Sequence, residues 1–315
     1  MAALTASQGT RRDTIHLVDG SLYVCRAWFA TDAYAHDAEG RPVHGVHGFT
    51  RFLLDLLERE RPSHLAVAFD ESLSHSFRNA IYPAYKANRP PAPADLKHQF
   101  GACKQIAAAL GAEVLCSHEH EADDLIGSAL TALRPAGFRG VIVSADKDFG
   151  QLVGTHDILW DPQRKRRWDA AGIEERLGVA PEKVADFLAL TGDASDNIPG
   201  VPGIGAKTAA TLLRHFGSLE NLLARTGEVA FLSTRGAAAA ARKLREHAAQ
   251  ARLSRQLTGI VLNAPVPATP DAYRRRRQDD AALQFLGDHL RFGPLTRARI
   301  RALRESEASP PGNAR

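Results

Sequence analysis

Residues 14–21 read TIHLVDGS, a short apolar run that ends in an aspartate and a Gly-Ser pair. Three similar runs follow it along the chain: LAVAF at 65–69, AEVL at 112–115 and GVIVS at 140–144. Longer stretches with helical periodicity, such as 46–59 and 96–111, separate them. Strands that alternate with helices predict an α/β fold, with a mainly parallel sheet flanked by helices on both faces.

Acidic side chains follow several of the predicted strands. Asp19 comes directly after the first strand, Asp70 after the second, and Asp146 and Asp148 after the fourth. A single aspartate in this position is usually a turn former. In an open parallel sheet, however, the loops at the carboxyl ends of the strands line one crevice. We therefore expect these four acids to meet at one edge of the sheet.

Two further acidic stretches are HEHEADDLIG at 118–127 and TGDASDN at 191–197. They add the carboxylates of Glu121, Asp123, Asp124, Asp193 and Asp196. The first stretch alone has a simpler explanation, because the amides at a helix N-terminus stabilise carboxylates by about 0.3–1 kcal/mol each. Nine acids at one edge need more, since their mutual repulsion would raise several pKa values and destabilise the fold.

Hard divalent cations are the natural partners of such a cluster. Mg²⁺, with Mn²⁺ as an alternative, prefers oxygen ligands. Two ions about 3.5–4 Å apart suit attack on a phosphodiester, one activating water and one stabilising the leaving oxygen. Zinc on His118 and His120 fits less well, because residues two apart do not share a helix face and no cysteine lies nearby. The sequence therefore predicts two Mg²⁺ ions.

The segment 71–95 interrupts the alternation of strands and helices. Its basic residues can meet phosphates, and its aromatic residues can stack on unpaired bases. The basic residues are Arg78, Lys86 and Arg89, and the aromatic residues are Phe77, Tyr82 and Tyr85. A solvated basic loop is the alternative interpretation. The length of the segment favours a functional insertion over an ordinary connection.

The stretch GVPGIGAKTAATLLRHFGS at 200–218 predicts a tight glycine hairpin that leads into a helix. Exposed backbone N–H groups in such a hairpin, together with the helix N-terminus, can hold a phosphate. The candidate DNA-binding residues here are Gly203, Gly205, Lys207 and Thr208. A plain turn between packed helices is the alternative. The helices on both sides and the adjoining Lys and Thr favour nonspecific binding of a duplex through its backbone.

The bulk composition fits a soluble globular protein. The chain has 315 residues, of which 44% are hydrophobic and 24% charged, with a formal net charge of +4. Three cysteines without a CxxC pair argue against a disulfide framework or a thiolate zinc site. The sequence has neither a signal-peptide pattern nor an apolar run near the roughly 20 residues of a membrane span. We expect a cytoplasmic monomer without membrane contact.

Five motifs of the chain, in order, resemble those of the bacterial 5′-nucleases. They are LVDGSLYVCRAW, AFDESLSHSFRNAIYPAYKANR, EADDLIG, SADKDFGQLV and LTGDASDNIPGVPGIGAKTAATLL. The family comprises the 5′–3′ exonuclease domain of DNA polymerase I and stand-alone flap endonucleases, including exonuclease IX. Because the resemblance extends from about residue 14 to about 295 and the chain stops where a polymerase would begin, it resembles a free-standing nuclease.

The resemblance implies the domain organisation. It implies a PIN-like nuclease core at 1–180, with a helical arch at about 71–100 inserted in it. A helix–hairpin–helix DNA-binding region would follow at 181–295, and residues 304–315 would form a frayed tail. Exonuclease IX lacks several acids of the second metal group, whereas this sequence retains all of them, which favours catalytic competence.

The resemblance also implies site roles. A first metal group would consist of Asp19, Asp70, Glu121, Asp123 and Asp124. A second group would consist of Asp146, Asp148, Asp193 and Asp196. The basic residues near the scissile phosphate and at the arch would be Arg26, Arg78 and Lys86. The hairpin would hold K⁺ through the backbone carbonyls of Leu190, Thr191, Pro199, Val201 and Ile204.

The predicted function is structure-specific 5′-nuclease activity on DNA with 5′ flaps or nicks. Primer removal and repair would be its context, and a DNA polymerase or ligase its protein partner. A PIN-type ribonuclease would share the acids but would not need a duplex-binding hairpin. A catalytically silent DNA-binding protein would share the hairpin but would not need nine carboxylates.

Overall fold

The computed structural model describes residues 12–30, 35–72, 76–233 and 236–308. Its centre is a six-stranded sheet that confirms the predicted α/β fold. The strands are β1 (Thr14–Asp19), β2 (His64–Asp70), β3 (Glu113–Ser117), β4 (Arg139–Val143), β5 (Ile158–Asp161) and β6 (Arg166–Trp168). The four predicted strands are present, and the sequence interpretation missed the β5–β6 hairpin. Its strands are only 4 and 3 residues long and carry a weak apolar pattern.

The order of the strands is β3-β2-β1-β4-β5-β6. The first five are parallel, and β6 runs antiparallel to β5. The chain moves outward from β1 through β2 to β3 and then returns to pair β4 with β1. This return creates a topological switch point between β1 and β4, the place where open α/β sheets bind ligands. The carboxyl ends of β1 to β5 are called the acid edge below.

One face of the sheet is covered by helices from both the N-terminal and the C-terminal parts of the sequence. Those that pack on this face are α1 (Gly20–Ala30), α2 (His44–Glu60), α4 (Ala94–Ala109), α14 (Asp280–His289) and α15 (Pro294–Ala308). Their buried side chains share a core with the outward-alternating residues of β1 and β2, such as Val18, Val67 and Phe69. The period-2 alternation of the strands separates this core from the one on the opposite face.

The opposite face carries α5 (Ala122–Leu133) and a set of consecutive helices that we call the helical region. These helices are α6 (Ala170–Leu177), α7 (Val184–Thr191), α8 (Ala206–Phe216), α9 (Leu219–Ala224), α10 (Thr226–Val229), α11 (Ala237–Glu246) and α12 (Ala248–Thr258). One continuous core joins Ile15 and Leu17 of β1 to the buried faces of α5, α7 and α8. The helical region therefore shares one core with α5 and this face of the sheet.

The insertion after β2 is helical only in part. Helix α3 (Phe77–Ile81) is five residues long and begins with a capping box in which Ser76 and Asn79 exchange hydrogen bonds. Turns occupy residues 83–89, and Pro90, Pro91 and Pro93 lead into α4. We call residues 82–89 the strap, because they cross the acid edge.

The C-terminal part of the chain corrects two predictions. Helices α14 and α15 do not belong to a hairpin region that extends to residue 295. They pack on α4 and α2 of the core, because Leu283, Leu286 and Leu303 bury their side chains there. The tail expected at 304–315 is helical as far as Ala308, and residues 309–315 lie outside the described part. Before α14, helix α13 (Pro270–Tyr273) leads back to the start of β2, where Arg274 forms a β-bridge with His64.

Within the described ranges, no helix is long and apolar enough to cross a membrane.

Candidate metal centre and nucleic-acid interface

The switch point brings together acids from β1 and from the loop after β4. Asp19 is the last residue of β1, and its Oδ2 accepts a hydrogen bond of 2.9 Å from the Ser144 hydroxyl. The same hydroxyl oxygen accepts the backbone N–H of Asp146 at 3.1 Å. Ser144 therefore couples the position of Asp19 to that of Asp146. The Asp148 amide in turn donates to Asp146 Oδ1 at 3.0 Å, which folds the loop tightly around these carboxylates.

The second strand and α5 form the next part of the edge. Asp70 ends β2, and its Oδ1 accepts the Ala122 amide in the first turn of α5 at 2.8 Å. Glu121 caps that helix, and Asp123 lies in the first turn. The amides at the start of α5 therefore hold two of the predicted ligands in place, which agrees with the acidic helix start that the sequence suggested.

Asp124 has a different role from the one predicted. Its side chain is fully buried, and both oxygens accept hydrogen bonds from the Arg78 guanidinium, at 2.7 and 2.8 Å. It also accepts the amides of Glu121 and Val261. A carboxylate with these four donors has no free position for an ion, so the structure makes Asp124 a structural residue and corrects its assignment to the first metal group.

Arg78 is corrected for the same reason. Its side chain is 1% exposed, and it also donates to the carbonyl oxygens of Leu257 at 2.9 Å and Gly259 at 3.0 Å. These contacts join the insertion to α5 and to the end of α12. A guanidinium with all its strong donors used inside the protein cannot approach a scissile phosphate. Arg78 is a structural pin between three elements.

The second predicted group lies in a tight turn after α7. Asp193 and Ile198 form an antiparallel bridge with two backbone hydrogen bonds, so that Asp193 and Asp196 face the same edge. The Lys147 ammonium lies 2.5 Å from Asp193 Oδ2 and 3.6 Å from Asp148 Oδ1. Lys147, between two predicted ligands in the sequence, is a counter-charge that the sequence interpretation missed.

The strap supplies further counter-charges. Lys86 Nζ lies 2.7 Å from Glu121 Oε2 and 3.8 Å from Asp196 Oδ2. The Arg89 guanidinium pairs with Asp196 Oδ1. The Tyr85 hydroxyl donates to Glu121 at 3.0 Å and to Asp196 at 3.2 Å. In this structure the strap therefore links one acid of the first group to one acid of the second.

The predicted stacking role of Tyr85 is not supported by this arrangement. Tyr85 is 4% exposed and packs with Ile198 and Leu257, and Tyr82 packs on the same small cluster. The Tyr85 ring is therefore closed to a base, whereas Tyr82 is only partly buried and its stacking role stays a prediction. The sequence could not distinguish this case, because an aromatic residue beside lysine and arginine suits both a buried anchor and a base-stacking platform.

Burial and mutual repulsion raise the pKa of several acids at this edge. Desolvation, with the charge of Asp70 adding to it, raises the pKa of Asp19 to about 7. Desolvation and the neighbouring Asp146 raise the pKa of Asp148 to about 8. By contrast, the pKa of Glu121 lies below its ordinary value, because the charges of Lys86 and Arg78 outweigh the effect of burial. Burial therefore dominates the pKa of Asp19 and of Asp148, even though Lys147 lies 3.6 Å from Asp148, whereas close basic partners dominate the pKa of Glu121.

Arg26 has a partner that the sequence interpretation did not identify. Its guanidinium lies 3.3 Å from Oδ1 of Asp161, the last residue of β5, and 5.6 Å from the centre of the Tyr23 ring. Asp161 is fully buried, and its Oδ2 has no hydrogen-bond partner. The motif ILWD repeats the pattern of a strand that ends in aspartate, and this signal could have identified it.

The glycine hairpin at 200–205 precedes α8. Gly205 caps α8 without a side-chain hydrogen bond, so the cap residue leaves the first-turn amides, including those of Lys207 and Thr208, without a side-chain acceptor of its own. The Lys243 ammonium from α11 lies directly against Gly203. This lysine, which sequence reasoning missed, adds a positive charge to the hairpin next to Lys207. The arrangement is suited to a phosphate backbone.

The proposed K⁺ ligands are five backbone carbonyls around the same hairpin. The carbonyl of Leu190 accepts the Val201 amide at 2.8 Å, and that of Val201 accepts the Ile204 amide at 3.0 Å. Thr191 and Pro199 complete the predicted set. The assignment of these five remains a prediction.

A separate group of metal-type ligands lies away from the acid edge. Within the described residues, Asp37, Glu39 and His289 place one ligand atom each within 4.8 Å of the others. Arg41 already neutralises this group, since its Nε lies 2.8 Å from Asp37 and its terminal nitrogen 3.0 Å from Glu39. The group anchors the 35–43 segment to α14 and forms an ion-pair network.

The residues at the acid edge fit divalent cations. Among the described residues, Asp148 Oδ1 is buried without a hydrogen-bond partner, and burial together with neighbouring carboxylates raises the pKa values of Asp19 and Asp148. The available ligands are all carboxylates, which match Mg²⁺ and Mn²⁺. The fold and this edge together define an α/β protein with an acidic centre at the sheet switch point and a helical domain beside it.

Comparison with known families gives a more specific assignment. A model of the N-terminal, resolvase-like domain of 5′-3′ exonucleases matches residues 14–178. A model of the C-terminal SAM fold of the same enzymes matches residues 179–281. The chain belongs to the 5′-3′ exonuclease family.

Individual relatives agree with this membership. A 5′-3′ exonuclease of Aquifex aeolicus (strain VF5) is 38% identical over 210 residues, which is 67% of this chain and 72% of that protein. DNA polymerase I of Mycobacterium tuberculosis (strain H37Rv) is 36% identical over 298 residues, or 93% of this chain. The chain spans 32% of the length of that polymerase.

Solved structures share the fold. T5 5′-exonuclease with bound zinc ions superposes with a TM-score of 0.66 at 16% identity, covering 93% of this chain and 98% of that one. The catalytic core of Rad2 in complex with a DNA substrate has a TM-score of 0.63 at 16% identity, covering 93% and 92%. At these identities the comparison concerns the fold alone.

Proposed function

We propose that the protein is a structure-specific 5′ nuclease that hydrolyses DNA phosphodiesters with the help of two Mg²⁺ ions. The observation that carries the proposal is the switch point, where Asp19 and Asp146 are coupled through Ser144 beside Asp70 and Asp148. Family membership supports the reaction class. Primer removal and repair are the proposed context.

Eight carboxylates remain as proposed ion ligands once Asp124 is excluded. They are Asp19, Asp70, Glu121, Asp123, Asp146, Asp148, Asp193 and Asp196. When bound, two divalent ions would supply an activated water and charge neutralisation at the leaving oxygen. Mn²⁺ would fit the same eight carboxylates, because Mn²⁺ and Mg²⁺ both prefer oxygen ligands.

Basic side chains would complete the site around the scissile phosphate. Arg26 is held by Asp161 and Tyr23, with its side chain partly buried. Lys86 lies at the centre of the strap, where its ammonium can neutralise charge that develops on phosphate oxygens. Arg26 on α1 and Lys86 on the strap would thus supply the positive charges that orient the phosphate.

The hairpin would hold the duplex beside the cleavage site. Lys207, Thr208 and the amides near Gly203 and Gly205 would contact backbone phosphates, and K⁺ bound by the five carbonyls would add a further positive charge. Because these contacts carry no sequence information, recognition would follow DNA shape. A DNA polymerase or ligase as protein partner belongs to the same proposal.

The direct test is cleavage of a 5′-labelled flap duplex, with a matching RNA and EDTA as controls. We expect Mg²⁺-dependent cleavage of the flap that leaves a 5′-phosphate. Asp146→Asn should abolish turnover while duplex binding persists, because the hairpin is unchanged. Cleavage of the RNA alone would support a ribonuclease instead. Binding of the duplex without cleavage by wild-type protein would support a silent DNA-binding protein.

A further inference from the structure

The strap is held on the acid edge by ion pairs and hydrogen bonds around a small apolar anchor. Its buried apolar anchor is a satellite cluster of three residues, Tyr85, Ile198 and Leu257, apart from the two main cores. Two ion pairs hold the strap in addition to this small anchor. They join Lys86 to Glu121 and Arg89 to Asp196. A segment fixed in this way can be released by any agent that competes for the two carboxylates.

The backbone of the strap is also in a conformation that needs support. Lys86 has φ +55°, in the left-handed region that side-chain-bearing residues rarely adopt. Its N–H donates to the carbonyl of Asp196 at 2.9 Å, and the side-chain Nδ2 of Asn197 donates to the carbonyl of Ala84 at 2.7 Å. These hydrogen bonds all join the strap to the turn that carries Asp196. Movement of that turn would remove them together.

The two carboxylates that the strap holds belong to different ligand groups. Glu121 begins α5, and Asp196 lies in the turn after α7. Lys86 lies between them, 2.7 Å from one and 3.8 Å from the other. Its ammonium therefore occupies the space in which a cation shared by the two groups would be coordinated.

We propose that the strap is an intramolecular competitor of divalent cations, with Lys86 and Arg89 as tethered cations that close the acid edge until metal ions displace them. The inference rests on the proposed function, since it takes the acids as metal ligands. Ion binding would release residues 82–89 from Glu121 and Asp196 and free Lys86 to face a phosphate. Arg78, buried at the base of the strap, would stay in place as its fixed point.

Metal affinity gives the first test. Free Mn²⁺ is measured by electron paramagnetic resonance during titration of wild-type protein, Lys86→Gln and Arg89→Gln. If the strap competes, both variants bind Mn²⁺ about fivefold or more tightly than wild type, the lower end of ordinary coupling between two sites. Lys165→Gln is the matched control. Lys165 is exposed, has φ +54° and, in the part of the chain that the structure describes, forms no ion pair.

Limited proteolysis gives a second test that does not depend on any variant. Trypsin cleavage at the Lys86–Ala87 bond is quantified by mass spectrometry against cleavage at Lys165–Arg166 in the same sample. We expect Mn²⁺ to increase the ratio severalfold, because strap release exposes the Lys86 side chain, which is 14% exposed when paired. Arg89 gives no competing signal, since trypsin does not cleave before Pro90.

The outcomes separate the two proposals. Equal Mn²⁺ affinity in wild type and both strap variants, or an unchanged cleavage ratio while Mn²⁺ is bound, would overturn the inference and leave the proposed function intact. Absence of Mn²⁺ binding in every variant would overturn both. Tight binding only in the strap variants would support the inference in its strongest form.

Discussion

At the residue scale, the acid edge shows how far a carboxylate pattern can be interpreted. The strand-end positions of Asp19, Asp70 and Asp146 follow from the alternation of strands and helices, because parallel strands deliver their carboxyl ends to one edge. The partners of those acids do not follow from it. Asp124 reads like its neighbour Asp123 in the sequence, and only the three-dimensional position of Arg78, 46 residues earlier, distinguishes them.

The raised pKa of Asp19 leads to a prediction about stability and pH. Its unfolded-state pKa is about 3.9, whereas burial raises the folded-state pKa to about 7. Between these values the unfolded state loses its proton first, so without metal the protein loses stability as pH rises from 4 to 7. Asp19→Asn removes this penalty, and we expect it to raise the free energy of unfolding at pH 8 by about 1–3 kcal/mol.

The measurement is denaturant unfolding in EDTA from pH 4 to pH 8.5. The advantage of the Asn variant should vanish near pH 4, where Asp19 is protonated in both states. Asp13→Asn, an exposed position at the other end of the same strand, is the control. If the Asn variant were more stable than wild type by the same amount at pH 4 and pH 8, the cost of burying the ionised Asp19 carboxylate would not be the cause.

At the element scale, the turn after α7 depends on two loops that cross in contact. Gly192 has φ +73° and Gly200 has φ +61°, and a Cβ on Gly200 would lie 2.6 Å from the carbonyl carbon of Thr191. The crossing fixes the hairpin and the Asp193–Ile198 bridge together. The sequence signalled the glycines of the hairpin, whereas the close contact between the two loops depends on the packing of α7.

Gly200→Ala tests this crossing. We expect the free energy of unfolding to fall by about 2 kcal/mol or more, because the left-handed backbone and the overlap both penalise a side chain. Gly227→Ala in α10 is the matched control. A Cβ there meets no atom within 4 Å, so the change should be neutral or stabilising by about 0.5–1 kcal/mol. Chemical denaturation measures the free energy of unfolding of both variants. Equal changes in the two variants would contradict the proposed contact between the loops.

The helix bounds were predicted within a few residues where an apolar face was long. Helix α2 covers His44–Glu60 against the expected 46–59, and α4 covers Ala94–Ala109 against 96–111. Short elements were harder to predict, because β5 and β6 have too few residues for a clear period. The segment 71–95 was identified from sequence as an unusual insertion, but the docking of the strap within it depends on partners that are distant in the sequence.

At the scale of the whole molecule, the hairpin face and the face that carries α15 lie on opposite sides of the sheet. If the hairpin binds the duplex, Lys207→Gln should lower affinity for duplex DNA and reduce the slope of log affinity against log salt by about 0.9, the contribution of one phosphate contact. Fluorescence anisotropy in EDTA at several salt concentrations measures both quantities. Arg301→Gln on α15 removes the same charge from the other side.

The Arg301 variant should leave both the affinity and the slope unchanged. Equal losses in the two variants would mean that general charge, rather than the hairpin, attracts the duplex. The class of fold and the acid edge could be predicted from sequence. Which face of the sheet is left to bind DNA depends on how α14 and α15 pack, which the sequence did not show.

The return of α14 and α15 to the core has a consequence for how the chain folds. Leu283 and Leu303 complete a core that begins with Val18 and Val46, so this face of the sheet is not fully covered until α15 has left the ribosome. Contacts between such distant parts of a chain form slowly, because the entropy of closing a long loop is lost before the stabilising contacts form. The helices between residues 184 and 258 can assemble early from local contacts. A truncation before residue 280 would leave the apolar faces of α2 and α4 exposed and prone to aggregation.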